Sequence, residues 1–132
     1  MLGERYYGFI DWTKVDKGLE VQAHFHPARS YVYNDRIVDP FLLSHELCHF
    51  RITEIFARRF RQQLSEINDM PSDDLVNEIF ENNEALANDM QHRYDEETYH
   101  GYVMMKQKRW ERNVDSLLNL LIEYKTPIVT YD

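Results

Sequence analysis

Between Leu42 and Phe60 the chain reads LLSHELCHFRITEIFARRF, and His45, His49, Ile52, Phe56 and Phe60 recur at spacings of three and four residues. That recurrence is one face of an α-helix. Asp39 before Pro40 supplies an N-cap and a first helical position, and NDMPS at 68–72 supplies the break, which predicts a helix over 40–67. Ser72, backed by Asp73 and Asp74, opens a second helix over 72–100, with Val76, Ile79, Asn83, Leu86, Met90 and Tyr94 as its facing stripe and Gly101 just past its end. A third, over 102–124, carries Gln107, Trp110, Val114, Leu117 and Leu121 on one side. Upstream the texture is extended. YYGFIDW, LEVQAHF and SYVYN are rich in β-branched and aromatic residues and are divided by KVDKG and HPAR, which predicts two or three short antiparallel strands over 5–35. TPIVTYD reads as a tail or a last strand. Strands followed by helices give an α+β class: a single domain over 1–132, with a small N-terminal antiparallel sheet packed on the first helix.

Composition narrows what such a domain does. The 132 residues are 43% hydrophobic, enough for one core without cross-links, and the lone Cys48 has no intramolecular partner. A net charge of -8, from 23 acidic and 15 basic side chains, argues against a nucleic-acid or polybasic membrane-surface partner. No apolar run approaches the roughly 18 residues of a membrane span. MLGERYYGF lacks a signal-peptide profile, so the expectation is a soluble chain, cytoplasmic by default. Oligomeric state has no signature in this sequence.

The first helix carries the chemistry. His45 and His49 lie about 40° apart on one helical face, close enough for two imidazoles to converge on one ion at about 2.0–2.1 Å. Glu46 points about 100° away from His45, beside the ion, where a base takes a proton from water. The motif is HExxH, the signature of a zinc-dependent hydrolase. The plain alternative is a pair of core histidines, but two of them with a buried glutamate would be expensive to desolvate unless something paired with them. A catalytic zinc needs a third ligand. If the two helices fold back on each other, Asp95 lies about 4.5 Å beyond the level of the histidines and His100 about 9 Å past its near edge, at about 1.5 Å per residue. Asp95 is then either a ligand or the carboxylate that orients one. Glu84 sits on the other side of that level, and Glu97 is a further candidate. His24 and His26 share a strand face and read as a surface pair, and His92 points to solvent. Arg51, Arg58, Arg59 and Arg61 read as a solvated face paired with the acidic second helix. Tyr94 and Tyr99 are candidate donors to a developing oxyanion or, equally, packing residues.

VQAHFHPARSYV, LLSHELCHFRITEIFARRFR and QHRYDEETYHGYVMMKQKRW stand in that order over most of residues 21–110. Together they resemble an uncharacterised bacterial family described as secreted zinc-dependent proteases, the domain of unknown function numbered 922. Its recurring features are an F-x-P-x-x-S-[WY]-V stretch, an HE-x-x-HF-x-I-T-E-x-x-AR helix and a YD-x-x-T-x-HG-x5-Q-x2-W segment. Leu47 departs from the pattern, where glutamine is expected. The resemblance implies a zincin-like fold, a Zn2+ cofactor, a peptide or protein substrate, and a secreted or periplasmic location. It also implies that His100, the histidine of the T-x-HG step, is the third ligand beside His45 and His49, with Glu46 as the catalytic base. A different class stays open: a metal-stabilised binding or regulatory domain without turnover.

Overall fold

The computed structural model describes residues 8–25, 40–99 and 101–132. Strands β1 (Gly8–Val15) and β2 (Gly18–Phe25) form an antiparallel hairpin, and β3 (Ile128–Thr130) pairs antiparallel with β2, giving the order β1-β2-β3. Among the described residues three helices follow the hairpin: α1 (Pro40–Ser65), α2 (Asp73–Thr98) and α3 (Met104–Leu120), with a 3-10 turn at Ile122–Tyr124. The hairpin closes through Asp16 and Lys17, the latter at φ 60, with Val15 opposite Gly18. Gly18 has no room for a side chain, because a Cβ there would stand 2.3 Å from the carbonyl oxygen of Val129. The tail sequence is therefore a real strand, laid against β2 where only glycine permits the approach.

Helix α1 is the centre of the molecule, packed on β1 and β2 to one side and on α2 and α3 to the other. Its apolar face is correspondingly wide: Cys48, Ile52, Ile55, Phe56, Ala57, Phe60 and Leu64 are all buried, while Arg51, Glu54, Arg58 and Gln62 fill the remaining side. Ile10, Leu19, Val21 and Val129 meet it from the sheet, and Val76, Ala87, Tyr94 and Val114 from the helices. Among its arginines, Arg61 departs from the expected solvated face. It is 2% exposed, its Nε and Nη2 donate to the Val21 carbonyl at 3.0 and 2.7 Å, and its Nη1 donates to Tyr124 O at 2.8 Å and Glu54 Oε2 at 3.0 Å. Arg58 pairs with Glu54 of the same helix and Arg51 with Asp115 of α3, so these arginine pairs run within α1 and to α3 instead of to α2. A long guanidinium reaches backbone carbonyls that no charge pattern reveals.

The helix ends move inward from the expected bounds. Ser72 does cap α2, its hydroxyl accepting from Leu75 N, but the helix stops at Thr98, with Tyr99 in the left-handed region at φ 50 as its cap. The buried face of α2 is Val76, Asn83, Ala87, Gln91, Tyr94 and Thr98, whereas Leu86, expected to face inward, is exposed. Hydrogen bonds decide this rotation: Asn83 Nδ2 donates to Gln63 Oε1 and Gln91 Nε2 to His49 O and Thr53 Oγ1. The expected SYVYN strand, the Asp39 cap, His26 and His100 lie outside the described residues. No described helix is long and apolar enough to cross a membrane.

Candidate metal centre

His45 and His49 lie one turn apart on α1, 2% and 0% exposed, with their ring centroids 4.8 Å apart. Across from them α2 presents Asp95. A single atom, Asp95 Oδ1, stands 2.8 Å from His45 Nε2 and 2.7 Å from His49 Nε2. The Tyr94 ring, next in sequence to Asp95, stacks on His45 at 4.4 Å and meets His49 edge-on at 4.7 Å. Its hydroxyl turns inward, 3.0 Å from both the His45 carbonyl and Gln107 Oε1, so it is not aimed at the Nε2 side of the rings.

The other ring nitrogens settle the tautomers. His49 Nδ1 is 2.5 Å from Gln91 Oε1, and that amide cannot be turned round, because its Nε2 already donates to His49 O and Thr53 Oγ1. His45 Nδ1 is 2.9 Å from Gln107 Oε1, and Gln107 Nε2 donates to Glu111 Oε2. Each Nδ1 therefore carries the proton, and in a neutral ring each Nε2 carries a lone pair. Both lone pairs face the same carboxylate oxygen. Burial raises the Asp95 carboxyl, and what lowers it below the usual range is hydrogen bonding and charge from rings protonated at Nε2; with neutral rings a cation would have to take that part. Burial lowers the His49 pKa and so disfavours an imidazolium at that position. A cation among the three atoms would engage all of them at once.

The donor set suits that role: two neutral imidazole nitrogens and a carboxylate oxygen, all within 4.8 Å of one another. Ligands at about 2.0–2.1 Å from a tetrahedral ion stand roughly 3.3 Å apart, so Asp95 would draw back by about half an ångström to admit one.

Glu46 lies beside this cluster and is 5% exposed. Its Oε1 has no hydrogen-bond partner among the described residues. Burial, and then the charge of Asp95, push its carboxyl from 4.5 up to about 8. A buried carboxyl with one oxygen lacking a partner and a strongly raised pKa is a candidate functional group. The remaining acidic candidates are engaged elsewhere: Glu84 Oε2 accepts from Ile10 N at 2.8 Å, on β1, and Glu97 Oε1 accepts from Trp110 Nε1 at 2.9 Å.

No protein-family model, curated protein or solved structure matches the chain. The site's own geometry therefore carries any reading of function. Sequence reasoning brought His45, Glu46, His49 and Asp95 into view and missed two partners, Gln91 and the Nδ1-binding role of Gln107. The available signal was an amide side chain standing in a helix stripe otherwise filled by core residues. A groove of about 480 Å3 between α2 and α3, lined by Met90, Arg93, Glu97, Trp110 and Leu117 among others, is a separate feature. Arg93 and Glu97 are each two residues from Asp95 and so face about 160° away from it on the helix.

Proposed function

We propose that this chain is a zincin-like, zinc-dependent metallopeptidase domain, with the ion held by His45, His49 and Asp95 and with Glu46 as general base. The observation that carries the reading is the convergence of two Nε2 atoms on one carboxylate oxygen, with a glutamate oxygen that has no partner among the described residues alongside. A bound zinc would supply Lewis acidity, polarising the scissile carbonyl and making a neighbouring water acidic. Glu46 would then serve as the base that accepts the proton of the attacking water and returns it to the leaving amine nitrogen. Burial favours the protonated carboxyl, and a cation nearby favours the carboxylate the first step needs. Gln91 and Gln107 hold the rings with Nε2 inward, which fixes the ligand geometry before any ion arrives.

His100 competes with Asp95 for the third place at the ion, so Asp95→Asn and His100→Ala are the deciding pair. Stoichiometric zinc in the wild type, lost in Asp95→Asn and kept in His100→Ala, is the expected result; the reverse pattern would move the third ligand to His100. Peptidase activity is tested on a mixed peptide library with and without chelator, wild type against Glu46→Gln. Cleavage that disappears in Glu46→Gln while zinc is retained supports the enzyme. The near-complete burial of both imidazoles favours one second reading, a metal-stabilised binding or regulatory domain. Zinc bound by both proteins with cleavage by neither would establish that reading instead.

A further inference from the structure

The two histidines are oriented by different means. His49 depends on Gln91, whose amide is fixed by the His49 backbone carbonyl, a group that can only accept. His45 depends on Gln107, and the backbone does not settle which way that amide faces. The Tyr94 hydroxyl beside it both donates and accepts, and with the His45 carbonyl also at 3.0 Å it is satisfied by either orientation. Among the described residues, Glu111 decides. Its carboxylate Oε2, 2.9 Å from Gln107 Nε2 and one helical turn along α3, accepts from the NH2 end and so turns Oε1 toward His45 Nδ1.

We infer that Glu111 is a positioning residue for the metal centre, acting through Gln107 to keep the proton on His45 Nδ1 and the lone pair on Nε2. Without an acceptor at position 111 the amide is released to present its NH2 group to Nδ1, which selects the ring form with Nε2 protonated and unable to ligate. This rests on the metal reading given above. It places a half-buried carboxylate of α3 in control of a ligand on α1, and neither HExxH nor any spacing around it points to that residue.

The test is a charge-matched pair, Glu111→Gln and Glu111→Met. Both remove the negative charge, so any long-range effect on cation affinity is common to them, but only glutamine keeps an acceptor for Gln107. Zinc affinity, measured by competition with a chromophoric chelator, should fall 10- to 100-fold further in Glu111→Met than in Glu111→Gln, the range typical of lost hydrogen bonds to a ligand imidazole. In the zinc-loaded proteins the Nδ1 proton of His45, seen in nitrogen-edited NMR of histidine-labelled protein, should be slow to exchange in wild type and Glu111→Gln and lost to exchange in Glu111→Met. Circular dichroism of the metal-free variants checks that all three fold. Equal affinity and equal Nδ1 protection in the two variants would overturn the inference while leaving the metal reading intact. Failure of the wild type to bind zinc at all would remove both.

Discussion

Glu46→Gln should stabilise the metal-free protein at alkaline pH. The Glu46 carboxyl is raised from 4.5 to about 8 in the fold, first by burial and then by Asp95. Between those values the unfolded chain releases a proton that the folded chain keeps, so stability falls as pH rises, by about 1.4 kcal/mol per unit, and the full loss is about 5 kcal/mol above pH 8. Other groups must be kept out of the window. The His49 pKa lies below 6.5 in the fold, so its contribution changes with pH only below 6.5, and Asp95 acts at still lower pH. Glu84 is also raised by burial, but it is common to both proteins and cancels in their difference. From pH 6.5 to 8.5 the gap between variant and wild type should therefore widen by about 2 kcal/mol in favour of Glu46→Gln, the amide having no proton to lose. Urea unfolding in chelator, at half-unit steps of pH, measures it. With saturating zinc the slope of that difference should flatten, because a cation beside the carboxylate favours its ionised form. Parallel stability curves for the two metal-free proteins would refute the account of Glu46 as a buried, unpaired acid.

His45→Ala and His49→Ala should each abolish stoichiometric zinc binding, read by elemental analysis after gel filtration. Gly101→Ala should weaken zinc binding at least tenfold in chelator competition, since a Cβ there, at φ 96, would stand 3.0 Å from Cγ of His45 and press on the ligand ring. Arg61→Ala should lower stability by about 3–5 kcal/mol in urea melts, by stranding the carbonyls of Val21 and Tyr124 and leaving Glu54 with Arg58 alone.

Periodicity placed the first histidine, the glutamate and the second histidine on one buried helix, because a repeat of three and four residues is a property of local geometry alone. Asp95 was legible as a candidate through simple arithmetic of rise per residue between two antiparallel helices. What periodicity could not supply was the direction of buried polar groups. Gln91 is buried by what it bonds, as is Asn83, and the α2 stripe consequently turns through Ala87 where a hydrophobic count selects Leu86. Arg61 was misjudged for a related reason: its partners, the carbonyls of Val21 and Tyr124, lie 40 and 63 residues away along the chain. The hairpin boundary at Lys17 and the helix stop near Gly101 were readable because turn chemistry is local.

The His–Gln clamps reach across three helices, from His45 on α1 to Asp95 on α2 and Gln107 on α3, 50 and 62 residues away. In the unfolded chain nothing holds the three helices' groups near one another, so an ion that needed them together would be a ligand of the native state only, and each decade of zinc above its dissociation constant would add about 1.4 kcal/mol to that state. The gain is shared by whatever must open for the ion to leave. Backbone amides at the start of α1, the C-terminal half of α2 and the first turns of α3 would then slow their hydrogen exchange in concert, as one cooperative unit.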